Sequence, residues 1–187
     1  MSKVELEKWD YKYRAGEYTP NDNPSALLVT WLPRILKGAD PRPSFQLRAL
    51  DVACGLGRNA LFLAGHGFYV DAIDISSAGL AIALRKALER GLAVNWVQAD
   101  LDNYNLPSQS YDLIIDNLYL NRPLAPKMIT ALKPKGILLF EHHLIPGEIP
   151  RTGTKLCAQT GAPTNPELWL KPGELLALFN GMEILHY

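Results

Sequence analysis

An α/β fold is expected, with a doubly wound, mostly parallel sheet and helices on both faces. Three observations predict it. Short apolar runs alternate with amphipathic helical segments from Leu47 onward. A glycine-rich turn joins the first such run to the first such helix. Acidic residues recur where the apolar runs end. Strands that alternate with helices bury a parallel sheet between helical layers. Ligands then collect at the carboxyl ends of the strands.

The elements follow in order. Residues 3–16 predict a helix, with Leu6, Trp9 and Tyr13 on one face. "YTPNDNPS" (Tyr18–Ser25) is a loop, with Asn23 placed to cap the next helix and Pro24 at its first position. That helix stripes Leu27, Leu28, Trp31, Leu32, Ile35 and Leu36, and Pro33 inside it should kink or end it. "KGADPRPS" (Lys37–Ser44) is a linker. Leu47–Ala53 is a buried strand, Arg58–His66 a helix and Phe68–Asp74 a second strand. Ser76–Arg90 is a helix that stops at Gly91. Val94–Ala99 and Tyr111–Asp116 are the third and fourth strands, Asn121–Leu132 is helical, and Gly136–His142 is the fifth strand. Pro146–Leu170 is rich in Pro, Gly and Thr; Pro172–Asn180 is a short helix and Met182–Tyr187 a last strand.

A chain of 187 residues that is 48% hydrophobic and 20% charged is long enough for one domain with a real core. Lys plus Arg and Asp plus Glu are both 19, so the basic excess of a duplex-binding protein is missing. The two cysteines make no disulfide framework. The opening "MSKVELEKWD" does not read as a signal peptide. No apolar run approaches the roughly 20 residues of a membrane span, so a cytoplasmic protein is expected. No Cys/His spacing suggests a metal.

The chemistry concentrates in "LDVACGLGRNALFL" (Leu50–Leu63). Its Gly55–Ala60 stretch fits G-x-G-x-x-A, and Asp74 follows Gly55 at the distance of a ribose-binding acid. By itself this does not separate a nicotinamide dinucleotide from other nucleoside ligands. The other acids narrow it. Asp51 lies in the first strand, Asp74 ends the second, Asp100 follows the third and Asp116 ends the fourth. So many carboxylates repel a pyrophosphate. They suit a ligand with an ammonium, a sulfonium, ribose hydroxyls and an adenine amine, as in S-adenosylmethionine.

"LDVACGLGRNALFLAGHGFYVDAIDIS" resembles the first motif and second strand of class I S-adenosylmethionine-dependent methyltransferases. "VQADL", "YDLIIDNLYL" and "LKPKGILLFEH" resemble that family's third, fourth and fifth strand regions. The opening "WDYKYRAGEY" and the late "TGAPTNPELWLKPGELLALF" resemble the subgroup that includes tellurite-resistance methyltransferases. Two departures stand out. Lys12 replaces an arginine common in the opening, and Lys135-Gly136 replaces a glycine pair before the fifth strand.

The resemblance implies a Rossmann-like fold over residues 1–187, with an N-terminal helical lid region (1–44) and a core (45–187). It implies that backbone at Ala53, Gly55 and Gly57 cradles the methionine part of S-adenosylmethionine, with Asp51 near its ammonium and Asn59 behind the loop. It gives Asp74 the ribose hydroxyls and Ile75 the adenine face. Asp100 and the Leu101 amide take the adenine edge, and Asp116 and Asn117 the sulfonium side. Trp9, Tyr13 and Tyr18 form a lid.

The implied reaction is methyl transfer to a small-molecule acceptor, with S-adenosylhomocysteine as product. A soft sulfur, selenium or tellurium nucleophile needs little base; a hydroxyl or amine draws on His142, His143 or Glu141. "DNLY" (Asp116–Tyr119) lacks the proline pair of the Asn-Pro-Pro-Tyr motif of many enzymes that methylate nucleic-acid amines, so no nucleic-acid or membrane partner is expected. Two alternatives stand beside this: a non-catalytic S-adenosylmethionine-binding module and an NAD(P)-dependent oxidoreductase. In this family an antiparallel seventh strand follows the sixth. Met182–Tyr187 reads as the sixth, so the last antiparallel strand is expected to be missing from this sequence, with residues beyond Tyr187, direct pairing of Met182–Tyr187 with the fifth strand, or a second copy covering the edge. The oligomeric state is left open.

Overall fold

The computed structural model describes residues 3–17, 22–38, 47–145 and 165–187. Two helices, α1 (Lys3–Arg14) and α2 (Ala26–Gly38), precede the sheet. The core then runs β1 (Arg48–Val52), α3 (Arg58–Gly65), β2 (Tyr69–Asp74), α4 (Ser77–Glu89), β3 (Asn95–Gln98), β4 (Tyr111–Asn117), α5 (Ala125–Ala131), β5 (Leu132–Glu141) and α6 (Glu174–Leu178). A 3₁₀ turn at Arg122–Leu124 leads into α5, and another covers Pro166–Leu168. The sheet order is β3-β2-β1-β4-β5, and every strand pairing among the described residues is parallel. The chain reverses its direction of winding between β1 and β4. That reversal opens a crevice at the carboxyl ends of those strands.

Side chains alternate across the sheet, as the two-residue period of a strand requires. Ala49, Ala72, Leu113 and Ile115 pack with Leu28, Leu32 and Ile35 of α2 and Ala60 and Leu63 of α3. Leu50, Val52, Ile73 and Ile114 pack on the other face with Met128 and Ala131 of α5 and with Phe179. Helices thus cover both faces. Asp51 shares the face of Ala49, which turns its carboxyl group toward α3. No helix of the described residues is long and apolar enough to cross a membrane.

Several boundaries differ from the sequence reading. The cap of α2 is Ser25, not Asn23: its Oγ accepts the Leu28 N–H at 3.1 Å. Pro33 does not end α2, which continues to Gly38. The segment Asn121–Leu132 is a 3₁₀ turn followed by a seven-residue helix, and Leu132 already belongs to β5. Met182–Tyr187 is not a strand. A strand needs a ladder partner, and here Met182 packs against the second core while His186 lies against the Trp31 ring at 5.4 Å. Ile184, Leu185 and Tyr187 remain exposed. Tyr18 and most of the segment from Pro146 to Leu170 lie outside the described residues, as does Cys157.

Candidate active site

The turn after β1 is built from left-handed backbone. Ala53, Gly55 and Gly57 have φ of 49°, 54° and 75°. Glycine adopts this region freely, whereas Ala53 holds it at a cost. The Gly57 N–H donates to the Cys54 carbonyl at 2.9 Å and closes the loop onto α3. A Cβ on Gly57 would lie 2.6 Å from the Trp96 ring, so this glycine lets loop, β3 and α4 pack. A Cβ on Gly55 would lie 2.8 Å from the Tyr13 hydroxyl. Tyr13, buried on α1, therefore sits directly over the loop.

Three acids line the crevice within the protein. Asp51 is 1% exposed, and its Oδ2 accepts the Ala60 N–H at 2.9 Å. Burial pushes its carboxyl group up to about 7, with the Ala60 amide and the Arg58 charge as partial offsets and Asp74 as an added repulsion. Asp74 accepts the Gly55 N–H at 2.7 Å and the Ser76 N–H at 2.8 Å, one on each oxygen. Each oxygen keeps a lone pair for a further donor. The spacing that suggested a ribose acid is thus also a contact: Asp74 ties the loop to the end of β2. Burial raises its pKa too. Asp116 is 1% exposed, and neither oxygen makes a hydrogen bond of good geometry among the described residues, the Tyr119 amide lying near it without closing one. Burial drives its pKa well up; the Tyr119 amide offsets part of this and Asp51 adds repulsion.

The other expected residues fall around this core. Asn117 is held on both sides, its oxygen accepting from Arg58 and its amide donating to Glu141 at 2.8 Å. Asn59 is buried and its oxygen accepts the Ser25 N–H at 2.8 Å, so it ties α3 to the start of α2. Asp100 accepts from the Asp102 N–H and the Asn103 amide, each at 3.0 Å, and shapes the turn after β3. Ile75 is half-buried beside Asp74, and Leu101 is buried in the second core. His142 and His143 follow β5. His142 Nε2 lies 2.6 Å from the Leu168 carbonyl, so it carries the proton. Its Nδ1 is buried with no partner among the described residues, and burial lowers its pKa. His143 rests near Trp169 at 5.7 Å, and burial lowers its pKa as well, against the charge of Glu141.

Sequence reasoning gave no role to Arg58 or to Asp10. Arg58 reaches the Asn23 carbonyl at 3.4 Å as well as Asn117. Its only sequence signal was its place in the loop motif. An open groove of about 1040 Å³ lies at the other end of the sheet, lined by Arg48, Asp71, Asn95 and Trp96 among others. It shares no residue with the crevice, where Tyr13 occupies the space over the loop.

Residues 49–136 match the family model described as a methyltransferase domain. The chain is 28% identical over 148 residues to the ubiquinone biosynthesis O-methyltransferase of Pasteurella multocida, covering 71% of this chain and 57% of that protein. An S-adenosylmethionine-dependent methyltransferase from Mesorhizobium loti is 28% identical, with a TM-score of 0.51 over 64% of this chain and 55% of that one. Residues 49–136 thus carry a methyltransferase domain, and the chain resembles the class I S-adenosylmethionine-dependent methyltransferases. TehB from Haemophilus influenzae shares the fold, with a TM-score of 0.69 at 20% identity over 96% of this chain and 57% of that one. The chain spans between 30% and 57% of the length of the first curated relatives it matches.

The crevice fits the cofactor of such a methyltransferase domain, S-adenosylmethionine. A buried carboxyl group without a partner costs several kcal/mol. Asp116 carries that cost beside Asp51, at the switch point of the sheet, and a cationic ligand is what such a pair stabilises. The left-handed loop of this methyltransferase domain brings backbone close to whatever lies in the crevice, since Gly55 adds no side chain there.

Proposed function

We propose that the chain catalyses methyl transfer from S-adenosylmethionine to a small-molecule acceptor, and that the acceptor atom is a soft nucleophile: sulfur, selenium or tellurium. The observation that carries the cofactor half is the unsatisfied Asp116 beside Asp51 at the strand-order reversal. The bound cofactor supplies an electrophilic methyl group on a sulfonium that is already a good leaving group. The chain's residues supply binding, orientation and a dry site.

In this reading Ala53, Gly55 and Gly57 hold the methionine part with backbone, and Asp51 takes its ammonium. Asp74 adds ribose hydroxyls to the two amides it already accepts from. Ile75 packs on the adenine, with Asp100 and the Leu101 N–H on its edge. Asp116 and Asn117 face the sulfonium, and Arg58 and Glu141 fix the Asn117 carboxamide. Asn59 acts from behind, through Ser25. Tyr13 closes the site from above.

The soft acceptor rests on how the bases stand. His142 keeps its proton on Nε2, and the lone pair of Nδ1 is buried. Glu141 already accepts from Asn117. His143 is the remaining candidate base at this edge. A site whose remaining base is a histidine that burial makes less basic favours an acceptor that gives up its proton cheaply. The carboxylate cluster disfavours a dinucleotide, and the methyltransferase-domain match favours an enzyme over a passive module. Calorimetric titration with S-adenosylmethionine, S-adenosylhomocysteine and NAD tests the first half. Turnover with a panel of small thiols, selenite and tellurite tests the second. Binding of NAD alone would overturn the cofactor reading, and turnover confined to hydroxyl or amine acceptors would overturn the soft nucleophile.

A further inference from the structure

Asp10 lies on α1 three residues before Tyr13, so the two share a helix face. Its carboxylate reaches across to the first turn of α4. Oδ1 accepts from the Ser76 hydroxyl and from the Ala78 N–H at 3.1 Å, and Oδ2 accepts from the Ser77 hydroxyl at 3.3 Å. Arg14, one turn on, pairs with Oδ2 at 3.1 Å. Asp10 thus caps α4 from a different helix. Ser76 caps it from within, accepting the Gly79 N–H at 3.1 Å. A negative charge at a helix N-terminus is favoured by the orphan amides there. Those hydrogen bonds and Arg14 outweigh burial and keep Asp10 below the usual carboxylate range.

A second set of contacts says what this capping positions. A Cβ on Gly79 would lie 3.0 and 3.1 Å from the Tyr13 ring and 3.3 Å from the Gly55 carbonyl. A Cβ on Gly55 would meet the Tyr13 hydroxyl. Tyr13 is seated in space left open by two glycines, one on each wall of the crevice. Trp9 stacks on it at 5.8 Å. Neither glycine gives α1 a polar attachment. Asp10 does, and its donors begin two residues after Asp74.

We infer that Asp10 is a positioning residue for the lid: it latches α1 to the first turn of α4, holds Tyr13 over Gly55 and Gly79, and so sets how fast cofactor leaves the crevice. This rests on reading the crevice as the cofactor site. Two measurements on the full chain separate the latch from that reading. In ligand-free protein, Asp10→Ala should speed amide exchange in residues 6–14 on the order of tenfold, with β1, β2 and β4 unchanged. In stopped-flow displacement, release of S-adenosylhomocysteine should accelerate about tenfold with association unchanged. Asp10→Asn keeps an oxygen for the Ala78 N–H and should fall between. It also serves if Asp10→Ala unravels α1. Unchanged exchange in α1 would overturn the latch, and faster exchange with unchanged release would overturn its control of the cofactor. If the wild type does not bind S-adenosylhomocysteine, the cofactor reading falls and control of release with it. The exchange result then still decides whether Asp10 latches the helix.

Discussion

Asp51→Asn should change how stability responds to pH. In water an aspartate titrates near 3.8, and burial pushes Asp51 up to about 7. Below about pH 4 the proton is bound in both states and the site's contribution to stability is at its fullest. As the pH rises, the unfolded carboxyl ionises and the folded one does not, so stability declines. Above about 7 both are ionised and the curve flattens. About three decades in proton affinity correspond to about 4 kcal/mol lost across that window. Asparagine has no proton to exchange, and its oxygen still accepts the Ala60 N–H that Asp51 accepts at 2.9 Å. Urea unfolding at intervals from pH 4 to 8 measures both proteins. Asp74 and Asp116 also have raised values, so each curve keeps a slope of its own. The difference between the curves belongs to Asp51 and should open toward pH 7 in favour of the variant. Parallel curves across the whole range would mean that Asp51 is ionised in the fold, and the account of its burial would be wrong.

Other consequences follow from single contacts. Asp74→Ala should weaken S-adenosylmethionine binding by about 2–4 kcal/mol, since it removes charge-assisted bonds to the ribose and the anchor of the Gly55 amide; an unchanged dissociation constant by calorimetry would place the ribose elsewhere. His142→Ala should leave turnover on a thiol intact and cofactor affinity unchanged, because the Nδ1 lone pair is buried; a large loss of kcat on a thiol would make His142 a base after all. Lys135→Gly should stabilise the fold by about 0.5–1 kcal/mol, because Lys135 is exposed and sits at φ of 66°, where a side chain is strained. A lower melting temperature for that variant would refute the strain.

The sheet was legible because each strand core carries its own period. Ala49, Leu50 and Val52 divide between the two faces, as do Leu113, Ile114 and Ile115. Ends were less legible, since caps depend on which polar group reaches which amide. Asn23 and Ser25 are both good cap residues. Only the fold decides that Ser25 Oγ meets the Leu28 N–H while the Ser25 N–H is held by Asn59. Met182–Tyr187 had the composition of a strand, but pairing is a long-range property that composition does not encode. The Lys135-Gly136 departure has a physical reading too. The chain makes the left-handed step inside β5, where the register with β4 shifts between Leu132 and Ile137, with a lysine where glycine would cost less.

The acids of the site were legible for a reason that also explains the limits. A carboxylate inside an apolar strand is a local contradiction, and a sequence keeps few of them without a use. Asp51 and Asp116 each stand in such a run, and both are buried in the fold at the same switch point. Their partners were not legible. Arg58 lies next to Asn59 in sequence, yet it turns toward Asn117, 59 residues away. Asp10 is 66 residues from Ser76 and had no apolar run to mark it. Contradictions announce themselves within a few residues, whereas their resolution is spread over the chain. Asp116 is the exception that makes the point, because the described residues offset its burial only in part, through the Tyr119 amide. The charge that offsets the rest should come from outside the chain, which is why a cationic cofactor is the economical reading of this crevice.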